Sequence, residues 1–197
     1  MGTASSLGLT SPRLGLIEES VKNIILSLGE NLSRDGLKET PRRVAKSYEK
    51  LFAGYKQSPK QVLTVFEDRH YDEMIVVKNV EFYSNCEHHL LPFFGKAHIG
   101  YIPNGKIIGL SKLPRLVEIF SRRMQNQERL TCEIAEALRD LINPLGVGVV
   151  LEAKHLCMMA RGIEKQGSEV VTSAMLGLFK KELNTRSEFL KLIGRQI

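Results

Sequence analysis

The spacing of apolar residues at the start of the chain is that of amphipathic helices. Over residues 14–28 apolar side chains recur every three or four positions, which predicts a helix with one buried face. A second helix is predicted over residues 40–52, because Thr40 can cap a helix and Pro41 is favoured in a first turn. The first quarter of the chain is therefore expected to be helical.

Beyond these helices the pattern changes to the alternation of β-strands. The turn residues Pro103-Asn104-Gly105-Lys106 predict a hairpin between the strands on either side of them. This order of elements indicates an α+β fold with an antiparallel sheet, and not a doubly wound one. The predicted strands cover residues 74–82, 94–102, 107–110, 147–158 and 170–179, and the predicted later helices cover residues 111–123, 127–142 and 184–193.

Composition adds the size and the setting of the molecule. With 197 residues, of which 43% are hydrophobic, the chain can bury one core, and no apolar run reaches membrane-spanning length. Residues 1–12 are rich in Ser, Gly and Thr and are expected to be a disordered arm. We divide the remainder into a helical region, 13–58, and a main domain, 59–197. A formal net charge of +6 favours an anionic partner, either a nucleic acid or a phosphorylated small molecule.

The three cysteines are an odd number and no secretory signal precedes them, so we expect a reducing, cytoplasmic setting. Cys132 shares a predicted helical face with Ala135 and Leu138 and is expected to pack in the core. The other two cysteines occur beside histidines, which points to a metal site.

A metal site is predicted just after the first strand, where Cys86 and His89 are separated by two residues and could bind one ion from a tight turn. His155 and Cys157 alternate along a later predicted strand and should point to the same face. Three ligands with an open fourth position would make a catalytic zinc site, whereas Cys86, His89, His155 and Cys157 together would close a structural one. His88 makes a fifth candidate, and this surplus favours the catalytic interpretation, with some of the histidines transferring protons.

An anion site is predicted where Ser111 and Lys112 begin a helix, with Arg115 one turn further on. A helix start offers free N–H groups and a partial positive charge, although a charge run is more often a solvated surface. Gln127 and Glu128 begin the next predicted helix. Glu128 could accept two N–H bonds from a guanine edge, or it could only complement the helix dipole.

Several segments together resemble one known family, GTP cyclohydrolase I, in their order and spacing. The resemblance runs from about residue 14 to the C-terminus. It rests on NCEHH at 85–89, GLSKLPR at 109–115, QERLT at 127–131, HLCMMARG at 155–162, ETPRRVAK at 39–46 and NTRSEFL at 184–190.

The resemblance implies a tunnelling fold, in which antiparallel sheets from several subunits close into a barrel. It also implies a homo-oligomer, expected to be a decamer, with active sites at subunit interfaces. The implied reaction converts GTP and water into formate and 7,8-dihydroneopterin triphosphate, the first step of folate and pterin biosynthesis. The implied zinc ligands are Cys86, His89 and Cys157. The implied catalytic residues are His88 and His155, which would transfer protons, and Ser111. The ribose and triphosphate would be held by Ser111, Lys112, Arg115, Arg161, Arg43 and Lys46, and guanine would be read by Gln127 and Glu128.

Three other interpretations carry less weight. A nucleic-acid-binding module with a structural zinc should place aromatic residues among the basic ones, and only Phe120 lies there, so nucleic acid is not expected as a partner. A membrane is not expected either, because no apolar run is long enough. An enzyme of the same fold acting on pterins or deazapurines is disfavoured by the paired Cys and His motifs. An inactive homologue is disfavoured because the motifs are intact.

Overall fold

The computed structural model describes residues 13–195, so the arm expected to be disordered lies outside the described residues. The helices are α1 Leu14–Ser27, α2 Asp35–Lys38, α3 Thr40–Leu51, α4 Pro59–Val62, α5 Lys112–Ser121, α6 Gln127–Ile142, α7 Leu156–Met159, α8 Leu178–Lys181 and α9 Leu183–Leu192, with a 3-10 helix at Ala53–Lys56. The strands are β1 Val65–Glu67, β2 Ile75–Cys86, β3 Pro92–Ile102, β4 Lys106–Ile108, β5 Met124–Gln125, β6 Gly146–His155 and β7 Val170–Gly177.

A five-stranded sheet organises residues 75–177, with its strands in the order β5-β2-β3-β6-β7. Its long strands pair antiparallel, and only the short β5 runs parallel to its neighbour β2. The two long helices α5 and α6 come between β4 and β6 in sequence. The expected α+β class is therefore confirmed.

The core lies between the sheet and these two helices. Alternate residues of β3 and β6, such as Ile99 and Val149, are fully buried on one face, where they join Leu116 of α5 and Ile134 of α6. This arrangement follows from the alternation seen in the sequence, because successive side chains of a strand point to opposite faces. The opposite face is partly covered by the chain's C-terminal helices. No helix within residues 13–195 is both long and apolar enough to cross a membrane.

The predicted hairpin after β3 is wrong. Strand β3 already has β2 on one side, as far as Tyr101, and β6 on the other, as far as Ile102. No edge of β3 is left for β4, which pairs instead with β1. The short strand β1 carries no clear alternation in the sequence, and it was not predicted.

The expected burial of Cys132 is also wrong. The buried stripe of α6 runs through Leu130, Ile134 and Leu138, which are spaced four residues apart. Cys132 lies two residues from that stripe, on the opposite side of the helix, and it is exposed.

Candidate metal centre and active site

The first half of the candidate metal centre is the tight turn that ends β2. Cys86 is the last residue of the strand and is only 5% exposed. Its carbonyl accepts from the N–H of Leu90 at 2.9 Å, and its own N–H donates to the carbonyl of Leu91 at 2.8 Å. These bonds fold the chain back on itself, so His88 and His89 sit on an exposed turn directly above the buried sulfur.

The second half comes from the end of β6, where the structure differs from the prediction. The strand was expected to continue through residue 158, but it ends at His155, and Cys157 lies in the helical turn α7. The physical reason is the register: His155 pairs with Phe93, one residue from the start of β3, so little of a partner strand remains beyond it. Cys157 therefore reaches the site from a helical turn and not from a strand face.

Cys86, His89 and Cys157 converge at one point. Their ligand atoms all lie within 4.8 Å of one another, and Cys86 Sγ is 3.8 Å from His89 Nδ1. In a tetrahedral zinc site with bonds of about 2.3 Å to sulfur and 2.0 Å to nitrogen, two such ligand atoms would lie about 3.5 Å apart. The residues present therefore fit a zinc ion with little movement.

The other two candidates, His88 and His155, lie close to this group without joining it. His88 Nδ1 is also 3.8 Å from Cys86 Sγ, but within residues 13–195 the converging set contains His89 and not His88.

Burial raises the pKa of the Cys157 thiol, and the neighbouring Cys86 raises it further. The positive charge of Arg161 offsets these two effects only in part, so this sulfur favours the thiol form.

The converging residues open into a cavity of about 200 Å³. It brings together predicted site residues from three separate motifs, which lie far apart in the sequence. Its lining consists of Cys86, His88, His89, Gln125, Asn126, Gln127, Glu128, His155, Cys157, Met158 and Val170.

His155 is held on two sides inside this cavity. Its ring stacks on Phe93 with centroids 4.6 Å apart and an interplanar angle of 3°. Its Nε2 atom lies 2.8 Å from Oε1 of Gln127. Burial lowers the pKa of His155, and the carboxylate of Glu128 opposes that shift only in part, so the neutral imidazole is favoured.

An ion pair between the turn that ends β2 and the start of α6 was not predicted from the sequence. The guanidinium of Arg129 in α6 donates to the carboxylate of Glu87, which also accepts from Asn126 Nδ2 at 3.1 Å. The bond from Arg129 holds the pKa of Glu87 below its usual range. This pair ties the turn after β2 to the start of α6. The two residues are 42 positions apart, so no local spacing could have revealed the contact.

The predicted phosphate-binding residues are divided in the described chain. Arg161 lies beside the metal group, with Nη1 3.1 Å from Nε2 of His89. Arg115 lines a different cavity, formed with residues of β2 and α5. The residues that line the metal cavity do not include Ser111, Lys112, Arg115, Arg43 or Lys46.

Comparison with known proteins decides the family. The family model described as GTP cyclohydrolase I matches residues 17–194. The chain belongs to the GTP cyclohydrolase I family. It is 55% identical over 175 residues to GTP cyclohydrolase 1 of Wolinella succinogenes, covering 88% of this chain and 94% of that relative. It is also 55% identical over 183 residues to GTP cyclohydrolase 1 of Methylococcus capsulatus, covering 92% of this chain and 98% of the relative.

The solved structures that it resembles include a crystal structure of the archaeosine synthase QueF-Like in the apo form. That similarity has a TM-score of 0.45 at 20% identity, and it covers 53% of this chain and 93% of the other. Membership of the GTP cyclohydrolase I family makes the chain an enzyme with GTP cyclohydrolase activity, a hydrolase of pterin and folate biosynthesis.

Proposed function

We propose that this enzyme opens the imidazole ring of GTP by zinc-dependent hydrolysis, releasing formate and 7,8-dihydroneopterin triphosphate. The observation that carries the proposal is the meeting of Cys86, His89 and Cys157 in one cavity with His155 and Glu128. Three protein ligands are typical of a catalytic zinc, whereas a structural zinc normally has four. A bound zinc would lower the pKa of a water molecule toward neutrality and so supply hydroxide.

His155 is better suited to proton transfer than to closing a structural site. Its Nε2 atom is already engaged by Gln127, and its ring is stacked on Phe93. His88 lies at the exposed rim of the same cavity. His88 could give a proton to N7 of the purine as the ring opens, and both histidines could transfer protons in the later sugar rearrangement.

Glu128 is proposed to read the guanine base. It lies in the first turn of α6, is exposed, and lines the cavity. A carboxylate can accept from N1–H and from the 2-amino group of guanine together. Adenine offers neither donor, so a carboxylate that the bound base shields from water would be left unpaired.

The triphosphate is proposed to be held by residues from more than one subunit. Arg161 is already beside the metal group, whereas Ser111, Lys112, Arg115, Arg43 and Lys46 do not line its cavity. A neighbouring copy could supply these groups to the site. We therefore propose a homo-oligomer, with a decamer as the specific expectation, in which tunnelling-fold sheets form a barrel with the active sites at subunit interfaces.

Two features of the described residues support assembly. β7 lies at the end of the five-stranded sheet, with β6 as its neighbour there, and open sheet edges usually need covering. On helix α1, the apolar residues Leu16 and Ile24 are 60% and 59% exposed. Sedimentation should show a large oligomer, and a monomer at working concentration would contradict the shared site.

A cytoplasmic location is also proposed, and the three cysteines, which are all free thiols, support it.

The direct test of guanine reading is a comparison of GTP with ITP, which lacks the 2-amino group. Formate is measured together with the pterin, which becomes fluorescent after oxidation and dephosphorylation. We expect the parent to prefer GTP by at least about 10-fold in kcat/KM, and Glu128→Gln to lower the value for GTP by about 10- to 100-fold. The matched control is Glu136→Gln, an exposed carboxylate further along the same helix. If the parent treats GTP and ITP alike and Glu128→Gln behaves like the control, Glu128 does not read guanine.

A further inference from the structure

We propose that Gln127 is a positioning residue, which fixes the imidazole of His155 in the tautomer with its hydrogen on Nε2. Its side chain then does not contact guanine. This inference rests on the proposed function, in which His155 transfers protons.

The side-chain amide of Gln127 can take only one orientation. The residue is 1% exposed, and its Nε2 atom lies 2.9 Å from the carbonyl oxygen of Val170 and 3.2 Å from that of Leu151. Carbonyl oxygens only accept hydrogen bonds, so the NH₂ group must face them. The flipped amide would place its own oxygen against two other oxygens, and both carbonyls would lose the bond from Gln127.

Two threonine hydroxyls reinforce this orientation. Thr131 Oγ1 lies 2.6 Å from the backbone carbonyl of Gln127, so Thr131 donates there. Thr172 Oγ1, 2.6 Å from Thr131 Oγ1, must then donate to Thr131. The oxygen of Thr172 is left as a third acceptor, 3.1 Å from Gln127 Nε2, so the two N–H groups of the amide face only acceptors.

The orientation of Gln127 determines where the hydrogen of His155 lies. Gln127 Oε1 can only accept, so the 2.8 Å contact requires a hydrogen on His155 Nε2. A neutral imidazole carries one N–H, which leaves the lone pair on Nδ1. The parallel stack on Phe93 keeps the ring in this plane. His155 therefore presents Nδ1 as its free proton acceptor.

The same contacts separate the roles of two adjacent residues. To bond guanine, the Gln127 amide would have to leave the two carbonyls and His155, and all of them would lose a partner inside the protein. Glu128, the next residue, is exposed and lines the cavity. Base reading by a side chain at the start of α6 therefore belongs to Glu128.

The kinetic test compares Gln127→Met with Ile134→Val in the zinc-loaded enzyme. Met keeps the length of Gln but cannot accept from His155, whereas Ile134→Val removes one methyl group from the buried face of the same helix and leaves that contact in place. We expect Gln127→Met to lower kcat by about 10- to 100-fold, with zinc content, KM and the GTP-to-ITP preference changed by less than about 2-fold. Ile134→Val should keep kcat within about 3-fold of the parent, because the acceptor for His155 remains. Equal losses of kcat in both variants would mean a merely structural role and overturn the proposal.

The spectroscopic test reads the tautomer itself, by ¹⁵N NMR of ring-labelled histidine with His155→Ala for assignment. In the parent, Nε2 of His155 should be protonated and Nδ1 not, and Gln127→Met should give a mixture of tautomers. A parent with hydrogen on Nδ1 would overturn the proposal. So would a Gln127→Met enzyme with normal kcat and an altered GTP-to-ITP preference, although the proposed activity would then still stand. If the parent made no pterin from GTP, the proposed function would fail, and the NMR result would still decide the tautomer.

Discussion

The hydroxyl of Tyr101 offers a sharp test of how the strand leading to Ser111 is held. Tyr101 is fully buried in β3, and its hydroxyl accepts from the backbone N–H of Ile108 at 3.0 Å. Ile108 ends β4, three residues before Ser111. Tyr101→Phe keeps the ring and removes only this acceptor, so the N–H of Ile108 is left buried without a partner.

The expected size of the effect follows from that environment. A buried N–H that loses its acceptor costs about 1–3 kcal/mol of stability. The variant no longer has to bury a polar hydroxyl, and this offsets part of the loss. We therefore expect Tyr101→Phe to lower the free energy of unfolding by about 1–2 kcal/mol. In a chain of this size that corresponds to a fall in Tm of about 2–8 °C.

Two other tyrosines provide matched controls with the same chemical change. The hydroxyl of Tyr55 accepts from the N–H of Met124 at 3.1 Å, but Tyr55 is 38% exposed, so water can replace it. Tyr83 is 55% exposed, and no hydrogen bond joins its hydroxyl to residues 13–195. Tm should be measured by far-UV circular dichroism at fixed protein concentration, because the chain has no tryptophan. The loss should decrease in the order Tyr101, Tyr55, Tyr83. If Tyr101→Phe and Tyr83→Phe are equally stable, the buried bond contributes nothing.

Two further changes test the packing on the opposite face of the sheet. Burial lowers the pKa of His98 in the folded protein, so its contribution to stability is complete above the unfolded pKa of about 6.5 and is lost as the pH falls below that value. His98→Gln should therefore flatten the dependence of Tm on pH below about 6.5. An unchanged dependence would show that His98 is not its cause. Gly148→Ala should cost about 1–3 kcal/mol in urea unfolding, because the added Cβ would lie 2.5–2.9 Å from two phenylalanine rings. The control Gly15→Ala has nothing within 4 Å and should not destabilise, and a loss as large as that of Gly148→Ala would show that the rings are not the cause.

The sequence predicted what depends on local pattern and missed what depends on distant pairing. The long helices and the main strands follow from periodicity, and the positions of Cys86 and His89 follow from their spacing. The placement of Cys157 could not be predicted, because the end of β6 is set by where β3 begins. The hairpin prediction failed for the same reason, since the edges of β3 were already taken.

The environment of the candidate site shows the same limit. Glu128 was singled out from its place in a motif, and the structure does put it in the cavity. The burial of Gln127, the residue beside it, depends on carbonyls of two strands that come later in the chain. The ion pair between Glu87 and Arg129 likewise joins a turn to a helix that no periodicity connects.

The most direct test of the account is to measure bound zinc and formate release on the same preparations of three variants. Cys157→Ser should lose both, because it removes a ligand. His155→Ala should keep about one zinc per chain and lose most turnover, because it removes a proton-transfer group and leaves the ligands. Cys132→Ser changes an exposed cysteine that does not line the cavity and should match the parent in both. Full zinc in Cys157→Ser, or loss of zinc in His155→Ala, would contradict the assignment of Cys86, His89 and Cys157 as the metal ligands.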